Sequence, residues 1–361
     1  MWPAFCCLGK DCAGALSVLP AGAPPVKVPG NPATDYRPLN ENKLIAIVTA
    51  LRDRRRLPEG TTDPSPLAGV QSKIALARLP DGQFAEPLPG SGAPTTHILK
   101  VPDRDHPRDA AYEAATLDLS RTLGCETSDA LVVDIGGIEA LLVRRFDRAL
   151  DGQGCIVRLH QEDFAQALGL PAALKYERKG SNERRFDVAG IRKVLDATAN
   201  PIDARDRFIR AALFDLMTGN VDNHAKNFAI LHTASDGISL APRYDLLPTR
   251  LDPNLTDELA FKIGEATTLE ALTHSDFDQF LTALGVRGAA ARRRIVARHA
   301  RSLADGLSEI FAELARRGMK SFADLTASNL RQLLPELDIA VPDAAKARDA
   351  FVNRGGGWLN S

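Results

Sequence analysis

Asp222, His224, Lys226, Asn227 and Asp245 fall within one stretch, TGNVDNHAKNFAILHTASDGISLAPRYDLLPT, Thr218 to Thr249. Carboxylate and amide oxygens at that density suit a divalent cation and a proton acceptor. Mg²⁺ takes one or two protein oxygens and fills its other positions with water and substrate phosphate. Asp-x-x-x-x-Asn followed by a later Asp is the arrangement that protein kinases use. The first Asp takes the proton of the acceptor hydroxyl, while the Asn and the later Asp hold the metal. On that reading Asp222 is the base and Asn227 and Asp245 are the metal ligands. A polar loop followed by a hairpin is the plain alternative, since the spacing also recurs by chance.

The elements around these residues decide whether they can meet. RDRFIRAALFDLMTG sets Phe208, Ile209, Ala212, Leu213, Leu216 and Met217 at helical spacing, with Gly219 as its stop. FAILH and ISLAP flank TASDG, where Asp236–Gly237 signals a turn, so the two runs are predicted to pair as a hairpin. Asn227 precedes the first strand and Asp245 follows the second, which brings both to the hairpin base.

A kinase also needs a cation for the nucleotide phosphates and a carboxylate to orient it. Lys100 ends the strand-like THILK, and Glu113 lies on the following helix, DAAYEAATLDLSRTLG, which Gly124 stops. The plain alternatives are an edge-strand lysine and a solvated helix face. Ser65–Lys73, SPLAGVQSK, joins small residues to a strand and would let backbone N–H groups approach phosphate. It is neither a G-x-x-x-x-G-K-[ST] loop nor a three-glycine loop.

Strands are predicted at Lys73–Leu79, Thr96–Val101, around Val132 and at Glu139–Phe146. A helix with Leu44, Ile47, Val48 and Leu51 on one face begins at Asn40 and Glu41, and helices dominate from Asp163 onward. The predicted class is α+β, with a sheet-rich N-lobe and a helical C-lobe. Residues 18–40 are rich in Pro and Gly and read as a linker. GALSVLP before them reads as a single strand whose partners lie elsewhere.

With 361 residues, 44% of them hydrophobic and 25% charged, the chain has globular composition. Lys+Arg 45 against Asp+Glu 46 excludes a global positive field for nucleic acid or anionic membrane. Cys6, Cys7, Cys12, Cys125 and Cys155 match no zinc spacing and read as reduced thiols. No run of about 18 apolar residues and no signal peptide occurs, so a cytoplasmic protein without a membrane span is expected.

GKDCAGALSVLP, LAGVQSKIAL, THILKVP, VRRFDR, RLHQEDFAQALGLPAALKYE, GNVDNHAKNFAIL and LAPRYDLLPT occur in the order in which the HipA family carries such segments. The chain thus resembles the HipA kinase toxins of bacterial toxin–antitoxin modules. The resemblance implies a two-lobed protein-kinase-like fold, use of ATP and Mg²⁺, and phosphate transfer to a Ser or Thr hydroxyl of a protein, with aminoacyl-tRNA synthetases among the family's targets. It also implies a HipB-like helix-turn-helix antitoxin, with operator DNA reached only through that partner.

By position, the resemblance makes Asp222 the catalytic base, Asn227 and Asp245 the metal ligands, and Lys100 the phosphate-pairing lysine. Ala68, Gly69, Val70, Gln71, Ser72 and Lys73 become the nucleotide loop, and Arg144, Arg145 and Phe146 the hinge beside adenine. Tyr244 flanks the nucleotide, His224 lies between base and metal ligand, and His160 to Asp163 pack nearby rather than bind metal. The expected division is a remnant of the family's N-terminal subdomain at 1–20, an N-lobe at 21–147, a C-lobe at 148–318 and a C-terminal extension at 319–361. Pro66 stands where the family autophosphorylates a serine, with Ser65 beside it. KIGEATTLEALTH lacks the basic character of a DNA-touching loop, and the Arg292–Arg301 run reads as a solvated helix face. Two other classes remain open: a small-molecule phosphotransferase, and a catalytically silent binding protein with a kinase fold.

Overall fold

The computed structural model describes residues 13–17, 21–58, 61 and 71–352. The chain forms two compact units that interleave along the sequence. The first takes Met1–Ala114, Ser128–Gln161 and Leu231–Ala234, and the second Ala115–Thr127, Glu162–Ile230 and Ser235–Ser361. The class is α+β, as expected.

The first unit runs through β1 (Tyr36–Pro38), α1 (Glu41–Arg54), β2 (Lys73–Arg78), β3 (Phe84–Pro87), β4 (His97–Lys100), α2 (Asp109–Thr122, of which only the first part belongs here), β5 (Ala130–Asp134), β6 (Glu139–Arg144), β7 (Arg148–Leu150) and β8 (Ile156–Arg158). β1 to β6 make an antiparallel sheet of order β1-β3-β2-β4-β6-β5. The short strands β1, β3, β7 and β8 are additions to the sequence reading. β1 lies inside the stretch read as a linker, and Pro38 is tolerated because β1 is an edge strand. The expected GALSVLP strand is a correction: residues 14–17 form no strand, and Val18–Pro20 lie outside the described residues. Gly14 has φ +74° and gives its N–H to Asp147 Oδ2 at 3.0 Å instead of to a ladder.

Strand alternation fixes what each face meets. Ile74, Leu76, Leu99, Ala140 and Leu142 pack with Ile47, Val48 and Leu51 of α1. Leu141 and Val143 pack with Ala110 and Ala114 of α2. Since Leu99 faces α1, its neighbour Lys100 must face α2. The sheet pleat therefore carries Lys100 toward the helix that holds Glu113.

The chain continues through β9 (His160–Asp163), α3 (Phe164–Ala167), α4 (Val188–Asp196), α5 (Pro201–Thr218), β10 (Ala229–Thr233), β11 (Gly237–Leu240), α6 (His274–Ala283), α7 (Ala289–Asp305), α8 (Leu307–Arg316), α9 (Lys320–Glu336) and α10 (Asp343–Lys346). β10 and β11 are the predicted hairpin, with Gly237 at φ +67° in its turn. α5 starts on Asn200, whose side chain accepts from the Asp203 N–H, has Pro201 in its first turn, and ends at Gly219 in the left-handed region. A Cβ on Gly219 would stand 3.0 Å from Leu325 and 3.2 Å from Asn329, both on α9. α9 packs along α5, and Asn329 Nδ2 donates to the Met217 carbonyl at 3.1 Å. α9 thus belongs to the core of the second unit: Phe322 and Leu330 are fully buried.

Asp163 caps α3 and pairs with Lys226, and the His160 ring lies 4.8 Å from that of His232. Cys125 and Cys155 are free thiols, whereas Cys6, Cys7 and Cys12 lie outside the described residues. Among the described residues no helix is long and apolar enough to cross a membrane.

Candidate active site

The loop that follows α5 is held by one buried carboxylate. Asp215 accepts from Asn220 Nδ2 at 3.0 Å and Asn223 Nδ2 at 3.1 Å. Its two oxygens also accept from Arg243 Nη2 at 2.8 and 2.9 Å. Burial pushes the Asp215 carboxyl up, and Arg243 and the two asparagine amides oppose that shift. The Val221 N–H is satisfied by Thr249 Oγ1 at 3.0 Å, so PRYDLLPT is tied to the loop at both ends. Arg243 stands just before Tyr244 and Asp245, which links α5, the loop and the hairpin exit through one charge cluster.

Within the loop, the Asp222 carbonyl accepts from the His224 N–H at 2.9 Å and from Asn227 Nδ2 at 2.7 Å. With its amide nitrogen spent inward, Asn227 keeps Oδ1 as an oxygen ligand. At the hairpin base the Ala241 N–H donates to the Ala229 carbonyl at 2.9 Å, and Tyr244 Oη to the Lys226 carbonyl at 2.7 Å. The flanks of Asn227 and Asp245 are thereby stitched together. Asp245 has φ +57°, an uncommon conformation for a residue other than glycine, of the kind that collects at functional sites. An amide oxygen and a carboxylate form a hard donor set that fits Mg²⁺.

Asp222 and His224 have partners that the sequence reading did not foresee. Tyr176 Oη donates to Asp222 Oδ1 at 2.5 Å. Lys175 Nζ lies 2.7 Å from His224 Nε2. Burial, the Asp222 hydrogen bond and its charge all push the Tyr176 phenol well up, so it stays protonated and donating. Burial also lowers the His224 pKa, against the pull of Asp222.

In the first unit, Lys100 Nζ lies 2.5 Å from Glu113 Oε1, with side chains 8% and 1% exposed. Lys73 is the register partner of Lys100 across β2 and β4, so both lysines share one face of the sheet. Like charges directly opposite each other destabilise a strand pair. The Ser72 carbonyl accepts from the Val101 N–H at 2.8 Å. Ala68, Gly69 and Val70 lie outside the described residues, as do Ser65 and Pro66.

The hinge residues are placed less uniformly. Arg144 ends β6 exposed and 3.6 Å from Asp129. Arg145 is buried, with Nε and Nη2 each 3.0 Å from Asp147 and Nη1 on Thr95. Burial would raise the Asp147 carboxyl, but Arg145 and Arg148 outweigh it and hold it at about 2. The Arg145 side chain is therefore engaged in the unit's interior, and Phe146 beside it is half-buried.

Lys175, Tyr176, Asp215 and Arg243 are the residues that sequence reasoning missed. Asp215 left a trace: an acid between Phe214 and Leu216 in an otherwise apolar helix stretch demands a buried partner. Lys175 and Tyr176 left none, because they precede the loop by more than forty positions and lie between short 3₁₀ turns. In the basic run on α7, Arg292 pairs with Asp278 and Arg298 with Asp206, while Arg293, Arg294 and Arg301 are exposed.

Residues 65–309 match the HipA-like C-terminal domain family. The Y4mE protein of Sinorhizobium fredii, a kinase by name, is 35% identical over 90% of this chain and 73% of its own. The serine/threonine-protein kinase toxin HipA of Shewanella oneidensis is 31% identical over 77% of this chain and 64% of its own. Among solved structures, the HipA of a Shewanella oneidensis complex with HipB and operator DNA superposes with a TM-score of 0.72 at 26% identity. That match covers 96% of this chain and 80% of the other.

Proposed function

The chain belongs to the family of HipA-like C-terminal domains, and from that premise we propose that it is a toxin-type serine/threonine protein kinase dependent on ATP and Mg²⁺. The observation that carries the reading is the stitched hairpin base. Tyr244 and the Ala229–Ala241 pair hold the flanks of Asn227 and Asp245, and Asn227 in turn holds the Asp222 carbonyl.

Asp222 is the base. It takes the proton of an acceptor hydroxyl whose oxygen bonds the γ-phosphorus, the bond to the bridging oxygen breaks, and ADP leaves. Asn227 and Asp245 hold magnesium, which when bound neutralises phosphate charge. Lys100, oriented by Glu113, pairs with the nucleotide phosphates, and Lys73 stands beside it in register. Ala68 to Lys73 are assigned to the nucleotide by the family resemblance, Arg144 to Phe146 to the hinge, and Tyr244 and His224 to the nucleotide as well.

The acceptor is a serine of a translation-related protein, with an aminoacyl-tRNA synthetase as the first candidate. A HipB-like helix-turn-helix antitoxin neutralises the kinase in the cytoplasm and brings it to operator DNA. The likeness to HipA of the complex with HipB and operator DNA supports that partnership.

The purified chain, incubated with Mg²⁺ and γ-labelled ATP and a panel of purified synthetases, is expected to label a serine of one of them. Asp222→Asn is expected to lower labelling by about 10²–10⁴-fold, the usual contribution of a general base. Equal labelling by the variant would exclude Asp222 as the base.

A further inference from the structure

Two consecutive residues upstream of α4 grip the proposed catalytic loop at three points. Tyr176 Oη donates to Asp222 Oδ1 at 2.5 Å, Lys175 Nζ reaches His224 Nε2 at 2.7 Å, and the Lys175 carbonyl accepts from the Ala225 N–H at 3.0 Å. The grip is itself braced. The Arg178 guanidinium lies 4.2 Å from the Tyr176 ring centroid, and the His224 ring meets that ring edge-on at 5.1 Å. The next residue, Glu177, gives its N–H to the Ala260 carbonyl at 2.9 Å and accepts from the Lys262 N–H at 2.7 Å. Neither side chain is therefore free to wander.

The donor inventory fixes the hydrogen positions. An ammonium has only protons to give, so His224 Nε2 is the acceptor and the ring proton sits on Nδ1. That Nδ1 is buried and has no partner among the described residues, in a side chain only 6% exposed. Buried donors are nearly always satisfied, so this one points to an acceptor that arrives with a ligand. A carboxylate has two oxygens, and Tyr176 occupies one of Asp222's. Among the described residues the other accepts no side-chain hydrogen bond, which leaves it for an incoming hydroxyl.

We propose that Lys175 and Tyr176 are positioning residues for phosphoryl transfer: Tyr176 fixes the Asp222 carboxylate by one oxygen, and Lys175 sets His224 to offer its Nδ1–H to a phosphoryl oxygen. The proposal rests on the kinase reading and adds to it the reason why the loop is pre-set before substrate arrives. Both residues act through another side chain.

The test uses the full chain with Mg-ATP, following ATP hydrolysis with water as acceptor. Tyr176→Phe is expected to lower kcat by about 10²-fold with KM for ATP within about twofold, the pattern of lost orientation rather than lost binding. Lys175→Met is expected to behave alike, and Lys175→Arg to recover part of the rate. An unchanged kcat in Tyr176→Phe, or a raised KM at constant kcat, overturns the positioning role. Absence of any Asp222-dependent turnover in the unaltered chain instead sinks the kinase reading. A second measurement does not depend on turnover. The imidazole ¹⁵N spectrum, with His224 assigned by loss of its signal in His224→Gln, is expected to show the Nδ1–H form, which Lys175→Met should convert or mix. An Nε2–H form in the unaltered chain overturns the proposal whether or not the protein is active.

Discussion

Two of the buried ion pairs, one from each unit, are built on different terms. Lys100 and Glu113 face each other from a strand and a helix, one ammonium on one carboxylate oxygen. Asp215 and Arg243 are 1% and 7% exposed and belong to a cluster in which the carboxylate also takes two asparagine amides. The Arg243 guanidinium lies 5.1 Å from the Phe228 ring, closing off its other side. The first pair is set on regular elements, with Lys73 the register partner of Lys100 across two strands. The second is a knot joining helix, loop and hairpin. A buried pair made for a ligand should be cheap to break and costly to function; a buried knot should be costly to both.

The contrast can be tested from its strong end. Asp215→Ala strands a guanidinium without a counter-charge and is expected to remove about 3–5 kcal/mol of stability, read from the urea midpoint. A loss below about 1 kcal/mol would make the knot decorative. Lys100→Met is expected to lower ATP turnover by about 10²-fold or more, while costing about 1–3 kcal/mol, the usual range for removing one partner of a buried hydrogen bond. If its stability loss equals that of Asp215→Ala, the two pairs are of one kind. At the hairpin exit, Asp245→Gly relieves a left-handed backbone. It is expected to leave stability unchanged or up to about 1 kcal/mol higher, while abolishing any rise in melting temperature on adding Mg²⁺. A marked loss of stability would show that the side chain holds the fold rather than a cation.

The smallest effect concerns acid. Burial, with Arg78 and Arg144 nearby, lowers His97 to about 4, and burial also lowers His299 against the pull of Asp206. A depressed histidine binds fewer protons folded than unfolded. Its contribution is therefore whole above the ordinary histidine range near 6.5 and is lost as pH falls toward 4. The shift is worth about 2 kcal/mol at pH 5 before solvent screening, and about 1 kcal/mol for the partly solvated His97. His97→Gln should flatten that part of a melting-temperature profile, and an unaltered slope would remove His97 from the account.

Lys100 and Glu113 were legible in the sequence because alternation along a strand and the turn of a helix fix which way each faces. The hairpin was legible because Asp236–Gly237 names its turn, and its base follows from antiparallel pairing. The Asp215 cluster was half legible: the acid stood out among Phe214 and Leu216, but nothing local assigned it to Arg243 rather than to another arginine. Tyr176 was invisible, since a 3₁₀ turn has no periodic signature and its contact spans more than forty positions. The edge strand β1 was hidden by Pro38, a residue that sheet interiors exclude and edges accept, and β3 by its four-residue length, closed by Pro87.

α9 lies wholly past residue 309, where the match to the HipA-like C-terminal domain family ends. Even so, its Asn329 receives a bond from Arg250 at 2.9 Å and gives one to the Met217 carbonyl, at the turn from which the loop departs. A gene trimmed to the matched region would keep every residue with a proposed chemical role and lose the beam beneath them. Relatives that share the motif but differ in this helix are accordingly expected to differ in how firmly they hold it, and drift in this helix becomes a way to tune the loop without altering its residues.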